Sequence, residues 1–334
     1  MPLLRDQPDD LDALIGAAAQ ARGLDANFVE KDFWLTEILR AATVPFEVVG
    51  KGSGSHPVRT VFKGGTSLSR AYGLIERFSE DVDLLVGFPD VELSTNVKDK
   101  ALKRIRDEVA RHLRLDGTAI QAEAATTGVK RNVRYHYPTS RPHTHGLMSE
   151  GVLLEMGSRG GTHPTQTHTF RSMAAEYAIG DLGDSPGEWD EFAPITVEVL
   201  APERTLFEKL ALLHDGVTRF PDPDARDRLL KAGRHLYDVH RLLGDDAVVG
   251  ALGALGGEGV AALCADIDEH SGQARFSFTP RPGEGYGRGP LVDLSPECQA
   301  VLEASYTSAM SMVYGERPAF GECLETVRRH AALL

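Results

Sequence analysis

Apolar spacing changes period several times along the chain, and each change marks an element. Residues 10–23 carry a helical pattern. Asp25 then stands where a side chain would cap a second helix, A-N-F-V-E-K-D-F-W-L-T-E-I-L-R. Phe28, Leu35 and Ile38 recur along it at near-helical spacing. The Gly/Ser-rich stretch at 50–57 reads as a loop, and R-T-V-F-K as a short strand. A glycine turn, G-G-T-S-L-S-R-A-Y, hands the chain into a further helix. In R-F-S-E-D-V-D-L-L-V, residues 77–86, the period drops to two. Val82, Leu84 and Val86 then face one way, and Asp81 and Asp83 the other.

Residues 98–114 form a basic helix with Leu102, Ile105, Val109 and Leu113 as its apolar stripe. T-A-I-Q-A-E-A, N-V-R-Y-H-Y and V-L-L-E-M read as strands. Residues 157–194, rich in Gly, Pro, Thr and Asp, are expected to be irregular, with a helical tendency at 171–178. The strand I-T-V-E-V-L follows at 195–200. From Pro202 the pattern turns helical, in E-R-T-L-F-E-K-L-A-L-L-H and A-G-R-H-L-Y-D-V-H-R-L-L. A Gly/Pro-rich loop at 280–290 precedes a helical end at 296–333. This order implies an α+β fold: a sheet-containing half with leading helices at 1–200, then a mainly helical half at 201–334.

Composition narrows the class. With 334 residues, 42% hydrophobic and 25% charged, the chain has material for two domains and a full core. No uninterrupted apolar stretch reaches the roughly 18 residues of a membrane span, and the acidic N-terminus has no apolar signal region. A cytoplasmic protein without a membrane partner is expected. Cys264, Cys298 and Cys323 are widely spaced and odd in number, which fits buried thiols in a reducing compartment.

The net charge of −13 argues against nonspecific nucleic-acid binding by bulk charge. Two segments, 98–114 and 130–141, are nevertheless locally basic. Lys98, Lys103, Arg104, Arg106, Arg131 and Arg134 are candidates for RNA phosphate contacts. The alternative is that they only solvate a helix and a hairpin edge.

Candidate chemistry begins with Asp81 and Asp83. Two carboxylates on one strand face repel unless a hard cation such as Mg²⁺ or Mn²⁺ lies between them. Glu155, on a neighbouring strand, is a third candidate ligand, with Glu198 as its rival; either one is instead compatible with an arginine pair. Upstream, Gly64 and Gly65 would let backbone N–H groups approach a phosphate, aided by the helix N-terminus, with Thr66 and Ser67 adding hydroxyl donors. His143, His145, His163 and His168 have no compact zinc spacing.

The glycine turn followed by Asp-x-Asp resembles the nucleotidyltransferase superfamily of the DNA polymerase β type, which implies a mixed-sheet domain and an NTP substrate. K-G-G-T-S-L-S-R-A-Y with R-F-S-E-D-V-D-L-L is similar to the first motif of the AbiEii/AbiGii-type nucleotidyltransferase toxins of type IV toxin–antitoxin and abortive-infection systems. V-E-K-D-F-W-L-T-E-I-L, Y-H-Y-P, L-L-E-M-G-S-R, P-E-R-T-L-F-E-K-L-A-L-L-H and R-H-L-Y-D-V-H-R-L extend the likeness over roughly 28–243. It implies metal binding by Asp81 and Asp83, phosphate contact by Lys209, and an active site completed by Asp238. It also implies a cognate antitoxin, and makes Ser79 a candidate for regulatory phosphorylation beside the metal carboxylates.

Many relatives read K-D before the helical L-Y-D, where this chain has Arg234 and His235. By position alone, Lys209 projects off its helix's apolar stripe, and Asp238 is spaced for surface pairing with Arg234 or Arg241. Glu30, Lys31 and Asp32 look like a helix-packing signature rather than chemistry.

The resemblance implies transfer of NMP from an NTP to RNA, with the 3′ end of tRNA as the leading acceptor and blocked translation as the result. The competing readings are a hydroxyl on a protein or small molecule as acceptor, and a non-catalytic module that binds nucleotide or a partner protein.

Overall fold

The computed structural model describes residues 1–52, 54–139, 141, 148–273 and 278–334. His143 and His145 lie outside these residues. The chain divides into two compact units. The first comprises 1–71, 78–159 and 165–199, and the second 72–77, 160–164 and 200–334. Leu200 and the two short segments 72–77 and 160–164, expected in the first half by a division at 200/201, thus fall in the helical unit.

In the first unit, α1 (Pro8–Arg22) and α2 (Ala26–Ala42) lead into β1 (Phe46–Gly50) and β2 (Gly54–Lys63). Asp25 caps α2 as expected, accepting from the Asn27 N–H at 2.9 Å. After α3 (Gly64–Arg70) come β3 (Asp81–Gly87), α4 (Thr95–His112), β4 (Ile120–Thr126), β5 (Lys130–Tyr135) and β6 (Val152–Gly157). β7 (Thr165–Phe170), α5 (Met173–Tyr177) and β8 (Ile195–Leu200) complete it.

The strands form an eight-stranded mixed sheet in the order β4-β5-β6-β3-β2-β8-β7, with β1 paired to β2. β3 lies centrally, antiparallel to β2 and parallel to β6. Val82, Leu84 and Val86 are buried, as are Leu102, Ile105 and Val109 of α4 and Phe33, Trp34 and Ile38 of α2. Trp34 stacks on Tyr137 at 5.3 Å.

Two strands depart from the sequence expectation. β1 begins at Phe46, and its partner β2 starts at Gly54, inside the stretch read as a loop. β7, T-Q-T-H-T-F, lies in the region expected to be irregular. It is an edge strand with no run of large apolar residues, so it carries little of the usual strand signal.

The second unit is helical: α6 (Pro202–Thr218), α7 (Pro223–Leu229), α8 (Gly233–Leu243), α9 (Asp246–Gln273), α10 (Pro296–Ala309) and α11 (Phe320–Arg329). α6 packs against α7, α8 and α9 and is buried on nearly all sides. α9 is long and apolar enough by length and composition to cross a membrane. It is broken at Gly256, whose φ of 63° and ψ of 178° lie in a region only glycine adopts readily. Cys264, Cys298 and Cys323 are buried and unbonded to one another.

Candidate functional site

The first unit gathers carboxylates on β3 and β6. Asp81 and Asp83 share the half-buried face of β3, while Val82 and Leu84 alternate into the core. Asp83 lies in register with Glu155 on β6 and with Lys63 on β2. Burial pushes the Asp83 carboxyl up to about 7; Lys63 opposes the shift, while Glu155 and Asp81 add to it, Glu155 also through a direct hydrogen bond. Glu155 in turn accepts a hydrogen bond from Asn132 Nδ2.

Of the two rivals for third carboxylate, the structure therefore brings Glu155 to the pair. Glu198 on β8 instead forms an ion pair with Arg59 at 3.0 Å. Among the described residues, no group of three or more His, Cys, Asp or Glu side chains is arranged as a ready cation site. Asp81, Asp83 and Glu155 nonetheless fit a hard cation by donor chemistry. They are all oxygen donors, and burial together with the neighbouring Glu155 and Asp81 raises the Asp83 carboxyl, a repulsion that a hard cation among them would relieve.

The glycine turn abuts these carboxylates. Gly64 has a φ of +82°, and a Cβ added there would overlap the Asp83 carboxylate. Only glycine permits both the left-handed turn and this close approach. Thr66 and Ser67 differ from expectation. Both are buried, and their hydroxyls donate to the protein's own backbone, Thr66 to Asp81 O at 2.6 Å and Ser67 to Gly64 O at 2.9 Å. They brace the turn against β3 rather than presenting hydroxyls outward. α3 is only seven residues long, which limits its dipole. Ser79 is half-buried, two residues before Asp81.

The helix-packing expectation at 30–32 is met. Lys31 pairs with Glu80 at 2.7 Å, Asp32 with Arg70 at 2.6 Å, and Glu30 accepts from the Thr139 hydroxyl at 2.9 Å.

The candidate RNA contacts are largely engaged within the first unit. Asp99 holds both Lys103, at 2.8 Å, and Arg131, at 2.9 Å. Arg106 pairs with Asp107 at 2.7 Å, and Arg134 with Glu123 at 2.8 Å. Lys98 and Arg104 instead lie over the rings of Phe88 and Phe46, at 5.5 and 4.7 Å. Asp99 and Asp107 stand within the same helix as Lys103 and Arg106, four residues and one residue away, whereas Arg131 and Arg134 meet Asp99 and Glu123 on other elements, which spacing alone does not align.

The second unit builds its own polar centre. Asp238 on α8 is completely buried and receives Arg77 through both oxygens, at 2.6 and 2.7 Å. Lys209 on α6 reaches the same carboxylate at 2.7 Å. Surface pairing with Arg234 or Arg241 is thereby overturned: Arg241 pairs with Glu76 at 3.1 Å, and Arg234 is exposed. Nor is Lys209 a solvated lysine, because α6 is covered on the side where the stripe alone suggested water.

Burial opposes ionisation of Asp238, but Arg77 and then Lys209 overcome it and hold the carboxyl below its usual range. Burial lowers the Lys209 pKa, partly offset by Asp238. His235 Nδ1 lies 3.5 Å from Lys209 Nζ, and burial together with Lys209 keeps that ring neutral at pH 7.

Sequence reading assigned no role to Lys63, Arg77 or His235, although all three sit inside quoted motifs. Arg77 is fixed by its surroundings: it bridges Val313, while Glu76 N–H donates to the Tyr237 hydroxyl and Glu76 O accepts from Tyr314 N–H.

The sequence model of the nucleotidyl transferase AbiEii toxin family, type IV toxin–antitoxin system, matches residues 54–326. The chain belongs to this family. The AbiEii match begins later than the likeness seen in the motifs and runs on through α9, α10 and most of α11, so residues 244–326 also lie within the family match. No curated protein matches the chain. AbiEii membership makes the mixed-sheet unit and the helical unit parts of a nucleotidyltransferase toxin, and implies a cognate antitoxin.

Proposed function

We propose that this AbiEii protein is a divalent-metal-dependent enzyme that transfers NMP from an NTP to RNA, with the 3′ end of tRNA as acceptor, so stopping translation in the cytoplasm. The observation that carries the reading is the carboxylate group Asp81, Asp83 and Glu155, set against the Gly64 turn. Asp81, Asp83 and Glu155 would hold the cation, which supplies charge neutralisation at the phosphates and lowers the proton affinity of the attacking hydroxyl. Gly64 and Gly65 would present backbone N–H groups to the NTP phosphates, and Thr66 and Ser67 fix the shape of that turn.

Within the second unit, the family resemblance gives Lys209 the role of a phosphate contact, and Asp238 would hold it. A phosphate on Ser79 would bring negative charge into the segment before Asp81 and oppose nucleotide binding.

One observation favours a second acceptor class, a hydroxyl on a protein or small molecule: four of the six expected RNA-contacting cations are already paired with acids. NTPs labelled at the α-phosphate, incubated with the protein, Mg²⁺ and total tRNA, separate the two. Label in RNA supports the first reading and label in protein the second. No label in either, under conditions where another family member works, removes both.

A further inference from the structure

Inside the second unit, one aspartate serves two cations. Arg77 occupies both Asp238 oxygens, and Lys209 shares one of them. Asp238 has no exposed surface, whereas Lys209 retains 5%. A ligand arriving from solvent can therefore meet the lysine but not the aspartate. His235, neutral beside Lys209, adds no charge to the balance. A Lys209–Asp238 pair alone would be neutral and would offer an anion little. With Arg77 claiming the same carboxylate, one positive charge is left over, and it lies in a poorly solvated setting where charge acts strongly.

We infer that Arg77 is a positioning residue of the phosphate site: by occupying Asp238 it frees the charge of Lys209 for a polyphosphate, and Asp238 acts as a spacer between the two cations rather than as a metal ligand or proton acceptor. Asp238 has both oxygens filled by strong, short, charge-assisted bonds, so neither is available to a metal. The fork of Arg77 matches a carboxylate in two places, which fixes Asp238 and leaves Lys209 its remaining N–H donors. This rests on the nucleotide-binding reading and specifies how the phosphate end of that site is charged.

Charge counting gives the test. The wild-type trio Arg77, Lys209 and Asp238 carries +1, Arg77→Gln carries 0, Arg77→Lys and the double variant Arg77→Gln/Asp238→Asn carry +1, and Asp238→Asn carries +2. Inorganic tripolyphosphate binding to the full chain is measured by calorimetry in EDTA, so that no metal takes part, with near-UV circular dichroism reporting the fold. Arg77→Gln should bind at least roughly tenfold more weakly, as loss of a charge-assisted contact implies. Arg77→Lys and the double variant should recover most of that loss.

A purely structural role predicts the reverse, with the double variant worse than the single one. Unchanged binding in Arg77→Gln, or a double variant weaker than it, overturns the inference. If Arg77→Gln does not fold, Asp238→Asn supplies the comparison: tighter binding supports the inference and equal or weaker binding overturns it. Wild-type protein that transfers label yet binds no tripolyphosphate overturns this inference alone. Wild-type protein that does neither overturns the nucleotidyltransferase reading beneath it.

Discussion

Asp83 on β3 lies directly across from Glu155 on β6, and the two carboxyl groups share a hydrogen bond. Asp83 is pushed up to about 7, first by burial and then by Glu155 and Asp81 against the pull of Lys63. An unfolded aspartate titrates near 3.8, so the folded protein binds this proton more tightly than the unfolded chain does. Stability from this group is full at low pH and is lost as pH rises from about 4 through 7. Asp83→Asn should therefore raise the thermal midpoint at pH 8 while leaving it unchanged at pH 4, and should abolish transfer. Melting curves at the two pH values check it.

The same repulsion predicts how a cation acts. Mg²⁺ should raise the wild-type melting temperature more at pH 8 than at pH 5, because protons compete for the same oxygens. Removing it with EDTA should restore the lower value. An equal Mg²⁺ effect in Asp83→Asn would place the cation elsewhere.

Gly64 tests the turn. Alanine there meets both the left-handed backbone and the Asp83 carboxylate. Gly64→Ala should cost about 1–3 kcal/mol in urea unfolding. Displacing Asp83 should also lower transfer by roughly a hundredfold, as small misplacements of reacting groups do.

Much of this was legible in the sequence, for physical reasons that particular residues show. The period-two run at 81–86 placed both aspartates on one strand face, and Asp25 signalled the start of α2. The register that selects Glu155 over Glu198 comes from pairing between distant strands, which spacing cannot report. Lys209 was misread by position because its helix is buried by α7, α8 and α9, neighbours invisible to a single helical stripe. Arg77 was overlooked because its partner lies 161 residues away.

Asp99 provides the acid-side prediction. Hydrogen bonds from Lys103, then Arg131, hold its carboxyl down at about 2, against an ordinary 3.8. Its contribution is fully present above the unfolded value and is lost as pH falls from about 4 toward 2. Asp99→Asn should remove part of the acid-induced drop in stability over that window, measured by chemical denaturation at stepped pH. The same variant frees Lys103 and Arg131, so RNA binding should strengthen and grow more salt-dependent if these cations face RNA.

Lys31 separates architecture from chemistry. It is buried and pairs with Glu80, the residue before Asp81, whose charge it also senses. Lys31→Met should destabilise the protein by about 3 kcal/mol, with kcat per folded molecule preserved. A selective loss of kcat in a fully folded variant would give this helix a catalytic part.

The central claim is that Asp81 and Asp83 serve transfer of a nucleotide to RNA. Each of the four NTPs, labelled at the α-phosphate, is incubated with Mg²⁺, total tRNA and either wild-type protein or Asp81→Asn. Label is then located by digestion of the RNA from its 3′ end. The account predicts 3′-terminal label from at least one NTP with the wild type and none with Asp81→Asn. Equal labelling by the two proteins, or label inside the RNA body, would contradict it.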